Sequence, residues 1–168
     1  MTETRFTIRD YERLPEGFPC QLIEGDFVKQ PSPRFGHQRI VSRLVHMIAE
    51  KYGPDCVVPA PIDIALDDFN VVQPDVAVWA TPPARDVRWA PIPTLVIEVL
   101  SPSTAAGDRT QKTRLYVTAG VVEVWLVEPD TGAIEIHTPG GSKRYEAHEL
   151  ATSDALVEFS VCGRDLCS

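Results

Sequence analysis

The chain has 168 residues, 43% hydrophobic and 24% charged, with a formal net charge of −8 at pH 7, which fits a single domain spanning residues 1–168 with its own core. The negative balance argues against binding nucleic acid or anionic membrane over the whole surface, while leaving room for a local basic groove. No apolar run reaches the ~20 residues of a membrane span, the start carries no signal-like stretch, and Cys20, Cys56, Cys162 and Cys167 lack metal-knuckle spacing; a cytoplasmic protein with reduced thiols is expected.

A helical turn is predicted between Ile8 and Leu14, closed by Pro15-Glu16-Gly17. Cys20–Ile23 and Phe27–Gln30 then alternate apolar and polar residues around Glu24-Gly25-Asp26, the pattern of a hairpin. After Pro31-Ser32-Pro33, the residues Ile40, Val41, Leu44, Val45 and Ile48 repeat at helical spacing, so a helix is predicted over 34–52, stopped by Gly53-Pro54. His37 and His46 lie on it, and a helix histidine is ordinarily a surface or packing residue. Val57–Leu66 and Val71–Trp79 read as strands, the first bent by its prolines, the second irregular at Pro74, which donates no ladder hydrogen bond. A Pro- and Arg-rich loop, Thr81–Pro93, precedes a strand over 95–100. A helix from about Asp108 to Ala119 follows, with Asp108 and Gln111 at capping-box spacing and Gly120 as its stop. Strands over Val121–Val127 and Ala133–His137 come next, and Ala155–Val161 can add a last one. The expected fold is α/β with a mixed sheet, largely an antiparallel meander, with an N-terminal β-hairpin, two main helices and one crossover through the second of them.

Two carboxylates interrupt strands that otherwise look buried. Glu98 breaks the run Leu95-Val96-Ile97…Val99-Leu100, and Asp75 breaks Val71-Val72…Val76-Ala77-Val78. A buried acid is costly unless a positive group meets it. Lys112, with Tyr116 one turn further on, sits on the helix that follows Glu98 and can supply that charge. Two adjacent acids can instead hold Mg²⁺, or Mn²⁺ in its place, with the Val99 carbonyl as a further oxygen ligand and the lysine beside the attacking water. Residue physics alone leaves a metal site and a structural ion pair, to Lys112 or to an arginine within 85–114, evenly matched. Trp79, Trp89, Arg85 and Arg88 can form a stacking and phosphate-binding loop, or an ordinary exposed connection. Glu24 reads locally as a turn acid.

The ordered set Gln21-Leu22-Ile23-Glu24-Gly25-Asp26, Pro31-Ser32-Pro33, His37, Pro74-Asp75-Val76, Val96-Ile97-Glu98-Val99-Leu100-Ser101-Pro102-Ser103-Thr104, Asp108, Lys112, Tyr116, Gly120-Val121 and Val124-Trp125-Leu126-Val127-Glu128-Pro129 resembles a family of restriction-endonuclease-like proteins abundant in cyanobacteria, within the PD-(D/E)xK nuclease superfamily. The resemblance covers about residues 10–140. It implies a restriction-endonuclease-like core and Mg²⁺-dependent cleavage of DNA. Carried over, Pro74-Asp75 takes the PD position, Glu98 the second acid and Glu24 an early acid that can also serve the site. Leu100 stands where the superfamily lysine usually stands, and Lys112 matches the relatives whose lysine has moved to the following helix. The resemblance therefore implies a DNA endonuclease using Asp75, Glu98, Lys112 and Glu24. The competing reading is a catalytically silent DNA- or protein-binding module of the same fold, working as a homodimer. A third is a repair or mobile-element nuclease for branched or single-stranded DNA.

Overall fold

The computed structural model describes the backbone of residues 5–101 and 106–168, and the side chains of residues 5–101 and 110–168. A short helix, α1 (Ile8–Tyr11), leads to the hairpin of β1 (Cys20–Ile23) and β2 (Asp26–Lys29), in register from Cys20–Lys29 to Ile23–Asp26. Its turn has two residues, Glu24 (φ 51°) and Gly25 (φ 88°). Two successive positive φ angles match the right-handed twist of the strands, so the second strand starts one residue earlier than the sequence pattern predicts.

Helix α2 (Phe35–Tyr52) buries Ile40, Val41, Leu44 and Ile48, the predicted stripe. It ends where Gly53 turns to φ 97° and its N–H caps the Ala49 carbonyl at 2.9 Å. The next two runs behave differently from the expectation of two continuous strands. The first divides into β3 (Val57–Pro59) and β4 (Ile64–Asp67), the second into β5 (Asn70–Val72) and β6 (Val76–Val78). In each case the two halves belong to different sheets. The break at Gln73-Pro74-Asp75 has a physical cause. Pro74 offers no N–H to a ladder, and the neighbouring polar groups are satisfied by side chains instead. The Gln73 N–H donates to Gln21 Oε1 (2.8 Å), while Gln73 Nε2 (2.7 Å) and the Tyr11 hydroxyl (2.9 Å) both donate to Asp63 Oδ1.

Then come β7 (Leu95–Val99), α3 (Ala106–Ala119), β8 (Glu123–Val127), β9 (Ile134–Thr138) and β10 (Gly141–Tyr145). Strands β7 and β8 pair in parallel, joined by the α3 crossover, and their neighbours pair antiparallel. The main sheet runs β10-β9-β8-β7-β6-β3, and a second, antiparallel sheet runs β2-β1-β5-β4. Helix α3 starts at Ala106 rather than at Asp108, so Asp108 is not the N-cap; its side chain, like residues 102–105, lies outside the described residues. The tail corrects the expectation of one strand over 155–161. It forms a small hairpin, β11 (Leu150–Thr152) with β12 (Ser160–Cys162), and a last turn of helix, α4 (Gly163–Cys167).

The main sheet is covered on both faces. On one, Ile40, Val41, Leu44 and Ile48 of α2 pack with Val76, Leu95, Ile97 and Trp125 and with Phe159, Val161 and Leu166 of the tail. On the other, Tyr116 of α3 and Ile23, Ile64 and Val72 of the second sheet pack with Ala77, Val96, Val124 and Leu126. Double coverage explains why β7 and β8 read as continuous apolar runs. Among the described residues, no helix is long and apolar enough to cross a membrane.

Candidate active site

The switch between sheets sets Asp75 at the entrance to β6. Since Val76 pairs with Ile97, the next step along the register brings Asp75 opposite Glu98. Alternation places Glu98 on the same face as Val96, towards α3. Two charged carboxylates this close repel each other, so each needs its own partners.

Asp75 is held from two sides. Its Oδ1 lies 3.0 Å from His37 Nε2, and its Oδ2 accepts the Val99 N–H at 2.7 Å. His37 continues the inward stripe of α2 one turn before Val41, which is why its ring turns towards the sheet. The hydrogen bond to Asp75 raises the His37 pKa, against an opposing effect of burial. The expectation of an ordinary surface or packing histidine therefore gives way to a direct contact with the candidate acid. Among the described residues, Asp75 is held by His37 and the Val99 amide and not by Arg85, Arg88 or Arg114. Val99 acts here through its amide, and its carbonyl is the atom that could meet a cation.

Glu98 is largely buried, with a side-chain exposure of 14%, and its Oε1 is gripped by α3. Lys112 Nζ lies 2.6 Å from that oxygen and the Tyr116 hydroxyl donates to it at 2.7 Å. Residues four apart on a helix share a face, and the Lys112 ammonium also lies 5.8 Å from the centre of the Tyr116 ring. Burial raises the pKa of Glu98; Lys112 pulls it down and the nearby Asp75 pushes it up again. Burial, reinforced by the Glu98 charge, raises the Tyr116 pKa well above that of an ordinary phenol, so Tyr116 is a donor and not a base. Among the described residues, both donors to Glu98 meet Oε1 and none meets Oε2.

Glu24, at the positive-φ turn of the hairpin, reaches the same helix at Gln111 and Arg114. Its Oε2 accepts from Gln111 Nε2 and its Oε1 from Arg114 Nη2, each at 2.7 Å. The Asn70 side chain holds the Glu24 backbone N–H at 2.7 Å. Glu24 is thus brought to α3, as an ion-pair partner of Arg114. Gln111, predicted as a capping residue, instead orients Glu24. Neither His37 nor Gln111 could be assigned from local pattern, because their partners lie 38 and 87 residues away in the chain.

A hard divalent cation suits the oxygen donors of Asp75, Glu98 and the Val99 carbonyl, since Mg²⁺ typically takes one or two carboxylates and completes its shell with water and substrate phosphate. Among the described residues, no cluster of three or more His, Cys, Asp or Glu forms a metal cage. The stacking loop is only partly available. Trp79 is 3% exposed and its indole N–H donates to the Pro91 carbonyl at 2.8 Å. Trp89 packs on Tyr11 with Arg88 over its face, and Arg85 remains exposed.

A mixed sheet that sets two acids opposite each other, with a lysine delivered by the crossover helix, places the chain in the restriction-endonuclease-like class. The chain belongs to the Uma2 family, described as "Putative restriction endonuclease", whose model matches residues 8–162. The fold agrees with a crystal structure from Anabaena variabilis ATCC 29413 described as "a putative nuclease belonging to DUF820": the TM-score is 0.83, covering 96% of this chain and 97% of that one at 22% identity. A curated relative from Synechocystis sp. (strain ATCC 27184 / PCC 6803 / Kazusa), "Uncharacterized protein slr1290", is 41% identical over 68 residues. That match spans 40% of this chain and 35% of the relative.

Proposed function

We propose that this chain is a Mg²⁺-dependent endonuclease that hydrolyses phosphodiester bonds in DNA. The observation that carries the proposal is the meeting of Asp75, Glu98 and Lys112, from three separate elements, with Lys112 Nζ 2.6 Å from Glu98 Oε1. Asp75, Glu98 and the Val99 carbonyl would hold the metal. When bound, Mg²⁺ supplies charge stabilisation to the phosphate oxygens and lowers the pKa of an attacking water.

The remaining roles belong to the chain itself. His37 and the Val99 amide fix the Asp75 carboxylate, so it is oriented before any ligand arrives. The Tyr116 hydroxyl holds Glu98 Oε1, so that Oε2 would be the oxygen to meet the metal. Lys112 neutralises Glu98 in the resting site; with substrate bound, its ammonium is placed to orient the attacking water and to meet charge developing on the phosphate. Glu24 and Arg114 restrain one another where the hairpin turn meets α3. The reading of the same fold as a silent, dimeric binding module draws on one observation: the Lys112–Glu98 pair is already closed, as a purely structural ion pair would be.

Supercoiled plasmid distinguishes the two. Incubation with Mg²⁺ or Mn²⁺ is expected to give nicked and then linear DNA, and EDTA is expected to stop it. Intact plasmid at all metal concentrations, together with intact single-stranded and branched DNA, would support the silent module.

A further inference from the structure

The segment that joins β2 to α2 is fastened to the candidate site at both ends, yet the residues between its anchors have no part in it so far. At one end Gln30 Nε2 donates to the Gln73 carbonyl at 3.4 Å, and at the other His37 Nε2 meets Asp75 Oδ1 at 3.0 Å. Both anchors fall on residues 73–75, the stretch that carries Asp75. Between them, residues 31–36 are all exposed. Pro31 and Pro33 fix φ at two of these positions, so this bow beside Asp75 has little freedom left to lose on binding. At its far end Phe35 is 81% exposed, more than any other large hydrophobic side chain among the described residues. Residues two apart on a helix do not share a face, so Phe35 turns to solvent while His37 turns inward. Arg34, beside it, is exposed and makes no side-chain capping bond, and no carboxylate among the described residues pairs with its guanidinium.

We infer that Arg34 and Phe35 are the grip on the substrate strand: Phe35 stacks on an unpaired base, and Arg34 meets the phosphate of a neighbouring nucleotide. A single exposed aromatic is ordinary on a protein surface. This one stands on a rigid rim, next to an unpaired guanidinium and two residues from the side chain that holds Asp75. An aromatic face with a cation beside it is the combination that holds single strands, the ring taking the base and the cation the backbone. With a net charge of −8, the chain needs such a local grip, since its surface as a whole repels a polyanion. The inference rests on the nuclease reading and narrows its substrate class. A base within continuous duplex has both faces covered by its neighbours, so the grip takes DNA that is single-stranded or locally opened. Every base has a π face, so little sequence preference is expected.

The test uses the full chain and a short fluorescein-labelled oligodeoxythymidylate, alone or annealed to its complement, with Ca²⁺ in place of Mg²⁺ and fluorescence anisotropy as the readout. Wild type is expected to bind the single strand more tightly than the duplex. Phe35→Ala is expected to weaken single-strand binding by about five- to hundredfold, the range of one lost base stack. It is expected to melt at the wild-type temperature, because the ring lies in solvent. Phe35→Trp is expected to bind at least as tightly as wild type. Arg34→Ala is expected to weaken binding and to flatten the logarithmic salt dependence by about 0.7, one phosphate contact on a single strand. Unchanged single-strand affinity in Phe35→Ala, a Phe35→Trp variant no better than alanine, a wild type that prefers duplex, or no binding by wild type overturns the grip. Cleavage of the same oligonucleotides in Mg²⁺ separates this outcome from the fate of the nuclease reading. Binding that depends on Phe35 without cleavage by wild type removes the endonuclease and keeps the grip. Cleavage with the same KM in wild type and Phe35→Ala keeps the endonuclease and removes the grip.

Discussion

Lys112→Ala is expected to lower plasmid cleavage by about 10²–10⁴-fold, the range associated with losing a general acid–base group or a charge-stabilising donor. The fold is expected to persist, because Tyr116 still holds Glu98 and the apolar faces of α3 are untouched. Stability nevertheless changes in a pH-dependent way. In wild type, Lys112 holds down a Glu98 pKa that burial raises. Without the ammonium, burial and Asp75 raise it further. A carboxyl whose folded pKa lies above its unfolded value contributes stability at low pH, and that contribution is lost as pH rises through the folded pKa. The metal-free variant is therefore expected to melt below wild type at neutral pH, with the gap closing as the pH falls and Glu98 takes a proton. Mn²⁺ is expected to narrow the gap from the other side, by stabilising ionised Glu98. Cleavage that continues at the wild-type rate in Lys112→Ala would remove Lys112 from the mechanism.

Glu123→Ala is expected to have the largest effect on stability, on the order of 3–5 kcal/mol. Glu123 is 2% exposed and takes four hydrogen bonds. Its Oε2 accepts from Trp125 Nε1 (2.9 Å) and Ser153 Oγ (2.7 Å), and its Oε1 from the N–H groups of Asp154 (2.6 Å) and Ala155 (3.1 Å). The carboxylate thereby fastens the loop between β11 and β12 to the middle of the main sheet. Alanine leaves three donors without an acceptor, Trp125 Nε1, the Ser153 hydroxyl and the Asp154 N–H, while the Ala155 N–H keeps its bond to Ser153 Oγ at 3.1 Å. For a chain of this size, a loss of that magnitude lowers Tm by on the order of 10 °C. Glu123→Gln keeps the shape and one acceptor oxygen, but turns an NH₂ group towards donors, so an intermediate loss is expected. A Tm within about 2 °C of wild type for Glu123→Ala would show that the four bonds are replaced by water at little cost.

Three acids, Glu98, Asp75 and Glu123, show what a sequence can and cannot reveal. Glu98 and Asp75 stand out because each breaks an apolar strand, and a lysine on the following helix is an obvious partner at a distance fixed by helical geometry. Glu123 breaks the strand Val121–Val127 in the same manner, yet serves structure, because its partners come from a tail whose folding local pattern did not anticipate. The N-terminal hairpin and α2 are legible because turn chemistry and a 3.6-residue repeat are local. The exchange of chain between two sheets at residues 60–63 and 73–75 is not local: it depends on Gln21, Tyr11 and Asp63 meeting Gln73 from distant segments. From local pattern His37 is only a helix residue, since nothing in its neighbours points to Asp75. Trp79 looked available for stacking because it adjoins an exposed loop, whereas the fold spends its indole on the core and on the Pro91 carbonyl.

The central claim is that Asp75 and Glu98 form one cation site beside Lys112. Crystals soaked in Mn²⁺, with data collected for the anomalous signal of manganese, test it most directly. The expected result is a single peak bridging an oxygen of Asp75 and Oε2 of Glu98, at oxygen–metal distances slightly above the roughly 2.1 Å of Mg²⁺, with the Lys112 ammonium still within reach of the bound water. A Mn²⁺-soaked crystal with no peak between the two carboxylates, and with Lys112 still closed on Glu98, would contradict the account and leave Asp75, Glu98 and Lys112 as a structural ion-pair cluster.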